Sequence, residues 1–317
     1  MSSINRRTVL AGLAASCGMA VGAAAAPGYR VLGADSGRVA ILNSKGEVEW
    51  ETASRYLPHD LALLPNGNVM FVASNTSVVE MTPDHRVVWQ HQAQPKAGYS
   101  GAIEIHAFQR LRDDRTLVAE TGNRRLVEVD RDGRIAKEIP LQVNHPHPHR
   151  DTRLARKLDT GHYLVAHEGD GTVREYDPTG RVVWSYALDL AGRPRSPGHG
   201  PEGHGTEVYS AYRLPNGNTL IGAGNGNRVI EVNPGGKVVW SVEQEELPGI
   251  TLAWVAMLQV LPSGNVIIGN CHAGPDNPQL IEVNREKNVL WTFRNFTTFG
   301  NSLAATQVLD VRGPLIR

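Results

Sequence analysis

Twelve histidines are spread unevenly over the 317 residues. Three of them, His145, His147 and His149, alternate with prolines in NHPHPHRD, residues 144–151. His199 and His204 flank Glu202 in the glycine-rich stretch SPGHGPEGHGTE, residues 196–207. Elsewhere His59 precedes Asp60, Glu104 stands two before His106, His167 precedes Glu168 and Asp170, and Cys271 precedes His272. Neutral imidazole is a good ligand for zinc, copper or iron and a general base near neutral pH. Neighbouring carboxylates orient such a ring or complete a metal shell. No close-spaced ligand motif such as H-E-x-x-H occurs, so any site must be assembled from distant stretches. Cys271 beside His272 reads first as a small buried residue, since adjacency in the chain is not a nucleophile–base geometry. GAGNGN, residues 222–227, does not follow a strand and open a helix, so it reads as a turn and not a nucleotide loop.

The elements that must position these residues repeat. RLPNGNTLIGAGNGNRVIEVNPGGKVVW runs from Arg213 to Trp240, with close copies starting at Leu63 and Val260 and weaker ones at Arg110 and Lys157. The leucines before the first turn, Leu64, Leu111, Leu158, Leu214, Leu261 and Leu309, are spaced by 47, 47, 56, 47 and 48 residues. The one long interval contains the insertion at 196–207. Each copy reads as four short alternating strands separated by tight turns, the first of Pro-Asn-Gly-Asn type. Four strands at this period are a propeller blade. The segment from Tyr29 to Trp50 lacks a first strand, and LAATQVLDVRG near the C-terminus supplies one. The expected fold is therefore an all-β, six-bladed propeller over residues 27–317, closed by three N-terminal strands and one C-terminal strand. Trp50, Trp89, Trp184, Trp240 and Trp291 end the fourth strands, with Lys137 in that place in the second copy. A repeated tryptophan is expected to pack blade against blade.

In this architecture the starts of the inner strands and the loops between second and third strands share one end of the ring. Most of the histidines are expected at that mouth. His59 and His106, five before their leucines, are candidate catalytic residues or metal ligands, and so is His167. Glu120 would orient or coordinate. Arg153 and Tyr209, at the positions equivalent to His59, are candidate ligand contacts, as is His272. His85 reads as a turn residue, His162 as structural and His91 as solvated.

A net charge of zero offers no basic excess for phosphates, which argues against nucleic acid as a partner. Asn5-Arg6-Arg7 before an apolar run ending in Ala23-Ala24-Ala25 reads as a twin-arginine export signal over residues 1–26. Its removal takes Cys17 and leaves Cys271 alone, so no internal disulfide is expected. No second apolar stretch is long enough to span a membrane.

RLPNGNTLI, RVIEV and GKVVW resemble the bacterial propeller repeats of the PQQ-like and arylsulfotransferase-like groups, over nearly all of the chain beyond the leader. The arylsulfotransferase resemblance implies an exported propeller whose channel histidines carry sulfate between phenols. The quinoprotein resemblance implies calcium and quinone in an eight-bladed ring, which six blades and one remaining cysteine do not match. Two functions stand at this point. One is an exported propeller handling a small molecule in a histidine-rich mouth, by transfer chemistry or with a divalent metal. The other is a non-catalytic propeller that binds a ligand or a protein partner.

Overall fold

A computed structural model describes residues 28–317; the expected leader, residues 1–26, lies outside the described residues. Twenty-four strands form six four-stranded antiparallel sheets. Blades 1 to 5 follow one another along residues 61–92, 104–140, 154–187, 210–242 and 255–293. Blade 6 joins the three strands of residues 31–53 to the strand Ala305–Val308, with Val31 opposite Val308. The expected closure, three strands plus one, is therefore present, and the seam has no free inner edge. The six inner strands are Leu61–Leu63, Glu104–Arg110, Leu154–Lys157, Ser210–Arg213, Val255–Val260 and Ala305–Val308. No helix among the described residues is long and apolar enough to cross a membrane.

The repeated turn explains the repeated sequence. After the inner strand of blade 1, the Leu64 carbonyl accepts from Gly67 N at 2.9 Å, and Leu64 N donates to Asn68 O at 2.8 Å. That geometry needs a left-handed residue, and Gly67 has φ +84°. Glycine takes this conformation without the Cβ penalty. Gly161, Gly217 and Gly264 fill the same place, whereas blade 2 uses Asp114 at φ +65°.

Each tryptophan at the end of a fourth strand reaches the next blade. The indole N–H groups of Trp50, Trp89, Trp184 and Trp240 donate to the carbonyls of Pro83, Asp130, Pro234 and Arg285 at 3.1, 3.2, 2.9 and 2.9 Å. A second device runs beside the first. Third-strand glutamates accept from the turn of their own blade, as Asn68, His162, Asn218 and Asn265 donate to Glu80, Glu175, Glu231 and Glu282 at 2.6–2.7 Å. The same glutamates then reach forward, Glu80 to Arg110, Glu175 to Arg213, Glu231 to Arg285 and Glu282 to Tyr29. Three of those arginines lie over the tryptophan of the preceding blade, at 4.3–5.3 Å from the ring centre. Blade 2 has Lys137 instead of tryptophan, and there Lys137 and Lys157 both approach the Tyr163 ring, at 5.7 and 5.6 Å.

Trp89 is the most deeply buried of these tryptophans, at 5% exposure. Trp89→Ala is expected to cost about 3–5 kcal/mol, a loss typical of deleting a buried aromatic ring. Trp89→Phe removes the donor and part of the ring and is expected to cost less, starting from about 1 kcal/mol for the hydrogen bond. Urea unfolding measures both; a wild-type midpoint for Trp89→Ala would exclude this joint as a source of ring stability.

Candidate functional site

The residue five before each turn leucine starts an inner strand at the mouth. In blades 1 to 6 these are His59, His106, Arg153, Tyr209, Ala256 and Ala304. Four polar groups thus face two alanines around the axis. The pairing of blade 2 shifts between Ile105 and Ala107, so His106 is the extra residue of a bulge. The pairing of blade 5 shifts between Val255 and Leu258. Bulges of this kind re-aim a side chain and recur next to functional sites.

A cavity of about 410 Å³ opens here, with His59, His149, Arg153, Tyr209, Trp254 and His272 in its wall. The His59 and His106 rings are 4.6 Å apart between centres, and His149 lies 4.9 Å from His106 and 6.0 Å from His59. One oxygen of Glu104 is 2.8 Å from His106 Nε2 and 2.7 Å from His149 Nδ1. His106 Nδ1 is 3.2 Å from the Thr152 carbonyl. Tyr56 Oη lies 3.4 Å from His59 Nδ1, and the Tyr209 hydroxyl donates to the His59 carbonyl at 3.3 Å. Across the cavity His199 packs on Trp254 and His272, at 4.3 and 5.4 Å between ring centres. A cavity of about 510 Å³ at the far end contains no histidine, and its Glu231 and Arg285 are already paired with each other.

The mouth is electrostatically unusual. Arg153 is 3% exposed and gives Nε and Nη2 to Glu168, while its buried Nη1 has no partner. A buried donor left unmade costs about 1–3 kcal/mol. Burial, then the charge of Arg153, pushes His106 down to about 4 and holds His59 well below the usual range. Both rings are thus neutral bases near pH 7. Burial also pushes the Cys271 thiol far up, which removes its nucleophilic form and supports the plain reading of that residue. Next to His59, Asp60, fully buried, takes Arg156 Nη1 at 2.8 Å and Phe108 N at 3.1 Å. Arg317 donates to the Leu61 carbonyl beside this pair.

Of the residues expected from sequence, His59, His106, Arg153, Tyr209 and His272 come together. His167 and Glu120 do not. His167 is completely buried, with Nδ1 2.6 Å from the Asp151 carbonyl and Nε2 2.8 Å from the Tyr176 hydroxyl, so no nitrogen is left for a ligand. Glu120 is held by His91 at 3.1 Å, Asn123 at 2.7 Å and Arg125 at 2.6 Å. Burial alone would raise its pKa, but these donors hold it below the usual range. It is a structural ion pair, and His91, expected to be solvated, is its buried partner.

Three contributors were not among the expected site residues. Glu104 and His149 were visible only as neighbours in sequence or members of the proline run. Trp254 had a clearer signal, as the one tryptophan outside the fourth-strand series. It has φ +30°, and His272 has φ +61°. Two non-glycine residues in this strained region, both against the cavity, fit the tendency of strain to gather at functional sites.

Residues 10–157 match the family described as PQQ_2, outer membrane protein assembly factor BamB. With the six-bladed fold, that match supports a PQQ-like β-propeller repeat family. No curated protein matches the sequence. Among solved structures, a protein of unknown function from Bacteroides caccae is similar over 91% of this chain and 100% of its own, at 24% identity and a TM-score of 0.74. A catalytically inactive virginiamycin B lyase from Staphylococcus aureus, solved with quinupristin, is similar over 84% of this chain and 83% of its own, at 9% identity and a TM-score of 0.54. Both likenesses are likenesses of fold.

The buried state of His167 has a measurable consequence. Burial, then Arg174, lowers its pKa from 6.5 to about 4 in the folded protein. A depressed pKa means that its stabilisation is complete above about pH 6.5 and is lost as pH falls towards 4, at up to about 1.4 kcal/mol per unit. Thermal unfolding across this range is expected to show a shallower acid slope in His167→Gln than in wild type. Identical slopes would contradict a buried neutral ring.

Proposed function

We propose that the mouth binds a small organic anion, with Arg153 as the anchor and the neutral imidazole of His59 as an available proton acceptor. The observation that carries this reading is Arg153, a residue of the cavity wall whose buried Nη1 has no partner. Desolvated guanidinium next to uncharged bases is the combination that receives a carboxylate, sulfate or phosphate group. Trp254 and Tyr209 supply an apolar wall for the body of the ligand, as in most small-molecule sites. An aryl anion fits both halves, so transfer chemistry of the arylsulfotransferase kind is one activity this site would support. The twin-arginine sequence before the propeller supports action outside the cytoplasm.

A second reading rests on a different surface. The outermost strands expose Val87, Val88, Val183, Val238, Val239 and Leu290 at 39–51%. Apolar edge strands accept an added strand from a protein partner. Under that reading the ring is a binding scaffold, and the mouth serves no chemistry.

Calorimetric titration with 4-nitrophenyl sulfate, 4-nitrophenyl phosphate and benzoate separates the two. Saturable binding of at least one is expected, with Kd raised at least about tenfold in Arg153→Gln, in keeping with loss of a charge-assisted hydrogen bond. Release of 4-nitrophenol would add turnover. Absence of binding by the folded wild type, or an unchanged Kd in Arg153→Gln, would remove the anion reading.

A further inference from the structure

We propose that Glu104, His106 and His149 form a binding site for a divalent transition-metal ion of the zinc or iron(II) class. The proposal concerns the wall of the mouth and does not depend on which ligand the cavity takes. Its basis is the hydrogen-bond accounting around one carboxylate oxygen. Glu104 Oε2 faces His106 Nε2 at 2.8 Å and His149 Nδ1 at 2.7 Å. The three candidate ligand atoms lie within 4.8 Å of one another.

His106 is the decisive residue. Its Nδ1 faces the Thr152 carbonyl at 3.2 Å, and a carbonyl can only accept. The Glu104 oxygen at Nε2 can likewise only accept, so the single proton of a neutral ring serves one nitrogen and leaves the other facing an acceptor. With the proton on Nδ1, Nε2 presents a lone pair to a carboxylate oxygen, and two acceptors this close repel unless a cation joins them. A metal ion is such a cation, since imidazole nitrogen and carboxylate oxygen both donate lone pairs to it. A metal-bound histidine commonly gives its other N–H to a backbone carbonyl, which fixes the tautomer.

His167 supplies the internal contrast. Its Nδ1 also faces a backbone carbonyl, at 2.6 Å, but its Nε2 meets the Tyr176 hydroxyl at 2.8 Å, nearer than the Gln142 carbonyl that the same hydroxyl reaches at 3.1 Å. There the fold provides a donor for the lone pair. At His106 it provides another acceptor, together with a second imidazole.

The loop that brings His149 is held by its own hydrogen bonds. Asp151 accepts from His147 N at 2.6 Å and Gly122 N at 3.0 Å, and His149 N donates to His147 Nδ1 at 3.1 Å. Pro146 and Pro148 reduce the freedom that this loop would otherwise lose on ordering. Two imidazoles and one carboxylate suit zinc, iron, cobalt or nickel better than calcium or magnesium. Three protein ligands also leave room for a further ligand, as catalytic zinc sites do.

The test uses the metals alone. Protein stripped with a chelator is titrated with Co²⁺, read by visible absorption, and with Zn²⁺ in competition. One equivalent is expected to bind to the wild type. Glu104→Gln and His149→Ala are each expected to weaken binding at least about tenfold, the scale on which even outer-sphere partners matter. His149 is half-exposed on a loop, so its variant should fold, and circular dichroism checks this. His145→Ala, in the same proline run but bonded to Asp170, is expected to bind as wild type. Failure of the folded wild type to take up either metal stoichiometrically would overturn the proposal. So would binding that survives both Glu104→Gln and His149→Ala, or that is lost equally in His145→Ala. Since no organic ligand is present, none of these results can be confused with failure of the anion reading.

Discussion

The hydrogen-bonded ladders stop at the edge of each blade. The 24 strands among the described residues pair inside their own four-stranded sheets, and backbone bonds between blades are isolated ones such as the Gly224–Val255 bridge, so side chains do much of the joining. That constraint explains the most repetitive features of the sequence. Tryptophan buries a large surface and still has one N–H to give, and four of them spend it on a carbonyl of the next blade. The third-strand glutamate ties its own turn to an arginine or tyrosine of the following blade, and three of those arginines close over the tryptophan. Blade 6, made from both ends of the described chain, removes the one seam at which the ring could open.

A ring fixed in this way can hold unfavourable groups at its centre. Six equivalent positions surround the mouth, and four of them carry polar side chains that a packed core would not choose. Asp60 of blade 1 and Arg156 of blade 3 form a buried pair. Such pairs seldom add net stability, because desolvation offsets the attraction. Arg153 and the two neutral histidines are among those four polar side chains. A donor without an acceptor, Arg153 Nη1, and an imidazole placed between two acceptors, His106, remain at this end of the ring, and both are costs that a bound group would remove.

Much of the scaffold was legible in the sequence. The leucine spacing gave the number of blades, the missing first strand near Tyr29 gave the closure, and the tryptophans gave the packing between blades. The candidate site was legible only in part. Counting five back from each leucine found His59, His106, Arg153 and Tyr209, because equivalent positions in a repeat share one direction. The same logic failed at the ends of the second strands. There the surroundings of Glu120 come from His91 of one blade and Arg125 of another, and those of His167 from Tyr176 and the Asp151 carbonyl. No period in the sequence encodes such partners. His149 was similarly hidden, since the path of an irregular loop decides where its ring points. The third-strand glutamates recur in the five internal copies, yet the period does not say that they reach into the next blade.

The central claim is that the unpaired nitrogen of Arg153 is kept for an anion. The most direct measurement is a crystal structure of the protein soaked with 4-nitrophenyl sulfate. The account predicts a sulfate oxygen at about 3 Å from Arg153 Nη1, the length of a normal hydrogen bond, with the ring against Trp254 or Tyr209. A structure in which Nη1 is satisfied by a protein carbonyl, with the ligand elsewhere or absent, would contradict it.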